Sequence, residues 1–200
     1  RINLTVGDKD SIGVLARHGI SMKAAELASL KELVLSLSQG SKARHYIALP
    51  TDNACMTVFD AKEIRPFLNT GISTIPAKCK VLYYKIFENM MDYLSYVELD
   101  SRRSWQMMGI TTAIILNGED NIEEAISFFK KHKGVEAIQC YFPNDTRGHN
   151  LYRYFAREVG RRFIRNKSDE FFPYRSLSEA VRTKVPSVVM RRLVKWKKIA

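Results

Sequence analysis

The sequence predicts a mixed α/β fold, a mixed sheet with flanking helices, carrying a basic helical C-terminal extension. Three observations lead there. Ile110–Leu116 is a β-branched run, Asn117-Gly118-Glu119-Asp120 is a turn, Ile122–His132 has helical spacing and Val135–Phe142 is apolar again. Such a strand–helix–strand unit with short connections favours a parallel strand pair joined by a right-handed crossover. Earlier in the chain, Arg44–Leu49 and Cys55–Phe59 are short strand-like runs around the turn residues Pro50-Thr51-Asp52-Asn53. Charge, finally, is unevenly distributed. Residues 1–146 hold 17 Lys plus Arg and 17 Asp plus Glu, whereas residues 147–200 hold 15 and 4, so the second segment accounts for the whole net charge of +11.

The remaining elements follow in order. Ile2–Val6 alternates and is expected to be a strand. Ser21 can cap a helix from Met22 to about Ser38, with Leu27, Leu30, Val34 and Leu37 at helical spacing and Gln39-Gly40 ending it. Asn69–Pro76 is expected to be a loop, and Cys79–Leu99 either one long helix or a hairpin. Within the strand–helix–strand unit, Asp120 is the expected cap of a helix burying Ile122, Ala125, Ile126 and Phe129, and Gly134 stops it. A further helix is expected from His149 to Ile164. Tyr152, Phe155, Val159 and Phe163 form its apolar stripe, and Arg153, Arg157, Arg161 and Arg165 recur beside it. The expected organisation is a charge-neutral α/β core over residues 1–146 and a basic, helical, nucleic-acid-binding extension over 147–200 packed on it.

Composition excludes some classes. The three cysteines, Cys55, Cys79 and Cys140, are scattered and form no CxxC pair, which argues against a disulfide framework or a cysteine-built zinc site. No run of eighteen apolar residues exists to cross a bilayer as a helix. The chain opens at Arg1 without a signal-peptide pattern, so an intracellular protein of cytoplasm or nucleus is expected, as a piece of a longer chain or one with further ends. The basic bias of residues 147–200 points to a nucleic acid, an acidic lipid surface or an acidic protein partner; nucleic acid, with DNA as the first choice, is the expectation.

Two stretches carry candidate chemistry. Pro50-Thr51-Asp52 is followed by Met56-Thr57-Val58-Phe59-Asp60-Ala61-Lys62, an apolar strand ending in Asp-x-Lys. Here the chain resembles the PD-(D/E)xK nuclease family, with Pro-Thr-Asp in place of Pro-Asp. The resemblance implies Mg²⁺ held by Asp52 and Asp60, with Lys62 as the catalytic lysine positioning water, and Glu26 or Glu32 completing the set. The chemistry needs hard oxygen ligands converging beside a cation. Gln106-Met107-Met108-Gly109-Ile110-Thr111 approximates the Q/RxxGxG/A loop of GNAT acyltransferases, and Leu151-Tyr152 with Gly160 is similar to that family's later helix. That resemblance implies an acyl-CoA or acyl-carrier-protein thioester as substrate and Glu98 as general base.

The basic tail offers a third candidate. Leu177–Lys184 and Ser187–Trp196, broken at Val185-Pro186, read as two short helices, with Ala180, Val185, Met190 and Leu193 near the core spacing of a helix-turn-helix. Arg191, Arg192, Lys195, Lys197 and Lys198 would then meet phosphates or base edges. His18, His45, His132 and His149 have no mutual metal spacing. The leading expectation is a nucleic-acid-binding protein whose most concrete mechanistic form is a Mg²⁺-dependent endonuclease. The alternatives are the acyltransferase and a non-catalytic DNA-binding module of a mobile-element or viral protein.

Overall fold

The computed structural model describes residues 2–6, 15, 18–21, 24, 31–37, 44–60, 66–69, 71–78, 83–101, 111–132, 134–160 and 163–183. Among them, ten strands form two five-stranded sheets. The first sheet is an antiparallel meander, β1 (Ile2–Val6), β2 (Lys31–Leu37), β3 (Arg44–Pro50), β4 (Met56–Asp60) and β5 (Pro66–Leu68), in that spatial order. The second follows as β6 (Ser73–Ile75), β7 (Tyr83–Phe87), helix α1 (Met90–Ser101), β8 (Thr112–Ile115), α2 (Ile122–Lys131), β9 (Ala137–Tyr141), α3 (Thr146–Val159), β10 (Ile164–Asn166) and α4 (Leu177–Arg182). Its order is β10-β9-β7-β8-β6, parallel except for the antiparallel edge strand β6. The expected α/β class is therefore observed.

The second sheet is buried on both faces, and its strands show why. Alternate residues of a strand point to opposite sides. Phe87, Ala113, Ile115 and Tyr141 face one core, shared with Met90, Tyr93, Leu94 and Val97 of α1 and Leu177 and Ala180 of α4. Ile86, Ile114, Ile138 and Cys140 face the other, shared with Ile122, Ala125, Ile126 and Phe129 of α2 and Phe155 of α3. The first core also takes Ile47, Leu49 and Phe59 from β3 and β4, so the antiparallel sheet covers that side. Phe129 stands edge-to-face with Tyr84 and Phe155, at centroid distances of 5.2 and 5.7 Å.

Several expectations are corrected. Residues 31–37, expected as the end of a helix, form β2 between β1 and β3. Val34 and Leu37 fit the helical stripe, but Leu33, Leu35 and Leu37 also alternate, and strand pairing on both sides decides in favour of extension. Ser21 does accept from the Ala24 N–H at 3.3 Å, the capping contact expected of it. Residues 73–75, expected as loop, pair with β8 as β6. Of residues 79–99, the described 83–99 form neither one helix nor a hairpin. Tyr83–Phe87 is a strand, and Asn89 starts α1 by accepting from the Asp92 N–H at 2.9 Å.

Strands β8 and β9 are parallel but not neighbours, because β7 lies between them and pairs with each. The strand–helix–strand unit thus steps across a strand laid down earlier. The cap of α2 is Asn121, not Asp120, because a 3₁₀ turn over Glu119–Asn121 precedes the helix. Helix α3 starts at Thr146 and stops at Gly160, in the left-handed region at φ 64°, rather than running to Ile164. Residues 164–166 form β10 beside β9. The boundary drawn at residue 146 therefore falls at the start of a helix of the second sheet, into which α3, β10 and α4 are built. Residues 184–200, with the expected second tail helix, and 102–110, with the Gln106–Ile110 loop, lie outside the described residues.

Candidate functional site at the carboxyl edge of the parallel sheet

The sheet reverses its winding at β7, since β8 is added on one side and β9 on the other. In open α/β sheets a crevice forms outside the carboxyl ends of the strands at such a reversal, and ligands bind there. Three connections meet at this edge: Glu88-Asn89 after β7, Asn117-Gly118-Glu119 after β8, and residues 142–145 after β9. Each begins directly after a buried strand, so its first polar side chains are held at the rim by a rigid scaffold.

Arg147 gathers two of these connections. Its Nη1 lies 2.5 Å from Glu88 Oε1 and 2.7 Å from Glu119 Oε2. Glu88 is almost wholly buried, whereas Arg147 and Glu119 are nearly half exposed. Burial pushes the Glu88 carboxyl above the usual carboxylate range, and the hydrogen-bonded Arg147 pulls it back. The same contacts hold the Arg147 guanidinium firmly protonated. The Gly118 N–H donates to the Glu88 carbonyl at 3.0 Å, tying the β8 connection to the β7 connection.

Asp92 lies one turn into α1 and is 1% exposed. Its Oδ2 accepts from Asn89 Nδ2 and its Oδ1 from the Ser178 N–H of α4, both at 2.9 Å. Burial raises its carboxyl, against the pull of the Ser178 hydrogen bonds. Asp145 caps α3 by accepting from the Gly148 N–H at 2.8 Å, and its other oxygen accepts from Arg175 Nε at 2.6 Å. The Gly148 N–H, with Arg175 in support, holds the Asp145 carboxyl below the usual range. Gly148 is required by close approach, because a Cβ there would stand 2.0 Å from the Pro143 carbonyl oxygen.

At the neighbouring connection Asn117 takes a left-handed conformation, φ 59°. Its Nδ2 donates to the Gly71 carbonyl and to Ser73 Oγ, both at 2.9 Å, which fastens edge strand β6 to the rim. An open cleft of about 560 Å³ beside Arg147 is lined by Glu119, Thr146, Asn150, Leu151 and Tyr154.

The residues singled out in the sequence lie elsewhere. Asp52 sits in the turn before β4, where its Oδ1 accepts from the Thr74 N–H at 2.7 Å and its Oδ2 from Thr74 Oγ1 at 2.5 Å. It joins the two sheets. Asp60 ends the same strand, opposite Tyr46. The strand from Met56 to Asp60 spans roughly 13 Å at strand rise, with Asp52 in the turn that precedes it. Lys62 and Glu26 lie outside the described residues, and Glu32 is on β2. Among the described residues, no group of three or more His, Cys, Asp or Glu could hold a metal ion. Glu98 on α1 accepts from the Ser21 N–H at 3.1 Å and from Ser21 Oγ at 2.6 Å.

Arg153 and Arg157 are exposed on α3, and Arg165 is exposed on β10. The expected four-residue stripe breaks at Gly160. Arg161, Arg191, Arg192, Lys195, Lys197 and Lys198 lie outside the described residues. Sequence reasoning passed over Glu88, Asp92, Glu119, Asp145 and Arg147 as site residues. The available signal was positional, since Glu88 and Asn117 each follow an apolar strand directly and Asp145 follows one after a short link.

Comparison with a protein family model points to this part of the chain. Residues 85–171 match the model of the Toprim-like family, which is less than half of the chain. The match falls there rather than on the PD-(D/E)xK or GNAT families that the motifs resemble. No curated protein matches. Several solved structures are similar, two of them as follows. The primase fragment of the bacteriophage T7 primase-helicase protein is 14% identical, with a TM-score of 0.63, covering 90% of this chain and 73% of that one. A chain from the bacteriophage T7 lagging-strand DNA polymerase complex with primase domains, bound to an RNA/DNA hybrid and dTTP, is 14% identical, with a TM-score of 0.60, covering 90% of this chain and 88% of that one. These likenesses show the fold: this chain is built like the T7 primase fragment, and Glu88, Asp92, Glu119, Asp145 and Arg147 lie within the residues that match the Toprim-like family model.

Proposed function

We propose that this chain is a nucleic-acid-binding protein on a Toprim-like fold, and that residues 147–200 are the part that meets the polyanion. The observation that carries the reading is the charge distribution: 15 basic against 4 acidic residues follow residue 146, and of the described ones Arg153 and Arg157 on α3 and Arg165 on β10 are exposed. The similar T7 polymerase–primase complex is bound to an RNA/DNA hybrid, which suits the same class of partner. DNA is the first choice of substrate to examine, and RNA the second.

Toprim domains typically bind Mg²⁺ through acidic side chains. The described carboxylates of this chain do not fit that use as they stand. Glu88 and Glu119 close on Arg147, Asp145 is divided between Gly148 and Arg175, and Asp92 is divided between Asn89 and Ser178. The site therefore supports binding better than metal-assisted hydrolysis, and no catalytic step is derived through an ion.

The test is fluorescence anisotropy of labelled single- and double-stranded DNA and RNA against the full chain over a salt series. Binding is expected to weaken steeply with salt, since each neutralised phosphate contributes a slope of about 0.7 to 0.9. The Arg153→Glu/Arg157→Glu variant is expected to bind more weakly on every sequence, with the slope reduced by about two. A chain that binds no nucleic acid at low salt refutes the reading. DNA cleavage in Mg²⁺ that Asp60→Ala abolishes would move it towards the nuclease.

A further inference from the structure

We propose that Arg147 is the built-in cation of the carboxyl edge: its guanidinium takes the place between Glu88 and Glu119 that a divalent ion would need, so the centre is organised without metal. Arg147 is the second residue of α3, and the start of that helix is fixed twice, by the Asp145 cap and by the contact of Gly148 with the Pro143 backbone. The Arg147 side chain therefore leaves a rigid base and reaches back over the ends of β7 and β8. A single nitrogen, Nη1, lies within 2.7 Å of a carboxylate oxygen from each of those strand ends.

Burial makes a cation necessary there. Glu88 is 6% exposed, and an ionised carboxylate that deep requires a partner. A divalent ion would satisfy it, and so does a guanidinium, which keeps its proton at any physiological pH and presents directional donors. The two are exclusive, because an ion between Glu88 and Glu119 would stand against the cation already there. Arg175 repeats the arrangement on Asp145, with Nε 2.6 Å from Oδ2. Three carboxylates of the rim thus take their positive charge from arginines of residues 147–182. None of this depends on whether the chain binds nucleic acid.

The test is a Mn²⁺ titration of the full chain, read by loss of the free-ion electron paramagnetic resonance signal. The parent is expected to leave the signal intact. Arg147→Met exposes the Glu88–Glu119 pair and is expected to take up Mn²⁺ at least about tenfold more tightly than the parent, equivalent to about 1.4 kcal/mol. Arg147→Lys keeps a cation and is expected to behave as the parent, and Arg147→Met/Glu88→Gln is expected to lose the gained site. Circular dichroism establishes that each variant is folded. Two results overturn the proposal: stoichiometric Mn²⁺ binding by the parent that Glu88→Gln removes, or a folded Arg147→Met that binds no more Mn²⁺ than the parent. If Arg147→Met does not fold, the comparison of the parent with Glu88→Gln decides alone.

Discussion

Replacing Gly148 with alanine tests whether the β9–α3 connection sets the geometry of the rim. The ideal Cβ falls 2.0 Å from the Pro143 carbonyl oxygen and 2.7 Å from its carbon, where real Cβ contacts essentially never come below 3.0 Å. At least 1.0 Å must be found, and the obstacle is backbone, which cannot swing aside like a side-chain tip. The first turn of α3 must lift from Pro143. That movement stretches the 2.8 Å bond from the Gly148 N–H to Asp145, a cap worth about 1 kcal/mol. Overpacking strain adds roughly 1–3 kcal/mol. A total of about 2–4 kcal/mol corresponds to a fall in Tm on the order of 10 °C for a chain of this size. Thermal and urea unfolding followed by circular dichroism measure it. A Gly148→Ala variant with a parental midpoint and slope would refute the close-approach reasoning, and with it the claim that Arg147 springs from a fixed base.

Two further outcomes follow from the core and from buried charge. Phe129→Ala empties a wholly buried site between Tyr84 and Phe155 and is expected to cost about 3–5 kcal/mol in urea unfolding. Because burial raises the folded-state pKa of Asp92, the folded chain binds that proton more tightly than the unfolded chain; the Asp92 contribution to stability is fully present below the ordinary aspartate pKa and is lost as pH rises through the raised value. Asp92→Asn is expected to flatten the stability profile in that window, and an unchanged profile by urea unfolding at stepped pH would show that Asp92 is not the group responsible.

The legible parts of the fold were those where local pattern and tertiary setting agree. The run from Thr112 to Tyr141 has a buried strand, an amphipathic helix and a second strand, and all three form near the expected residues. Where a pattern fits two periods, pairing decided instead. Residues 31–37 carry leucines that suit either a helix or a strand, and only the flanking β1 and β3 select the strand. The position of β7 between β8 and β9 was invisible for a related reason. Strand order records which neighbours bury which face, and a chain read from one end does not contain it. The carboxyl-edge residues were passed over by the same route. Asp-x-Lys at a strand end invites a metal reading, yet what an acid does depends on its tertiary setting: Asp52, in the turn before β4, accepts from the Thr74 N–H and hydroxyl, and Asp60 ends the strand. Glu88, Glu119 and Arg147 are far apart in sequence and meet only because three parallel strands end together.

That convergence also changes how the basic charge is apportioned. Arg147 and Arg175 are committed to carboxylates of the rim. Arg157 shares Glu158, but it remains 70% exposed, and an exposed pair of this kind contributes little and leaves the cation open to a stronger anion. Residues 184–200 contain six Lys and Arg and no acid, so more than half of the net +11 lies there. On the proposed reading, the cations left to meet a polyanion are the exposed Arg153, Arg157 and Arg165 together with the basic residues of the last seventeen positions.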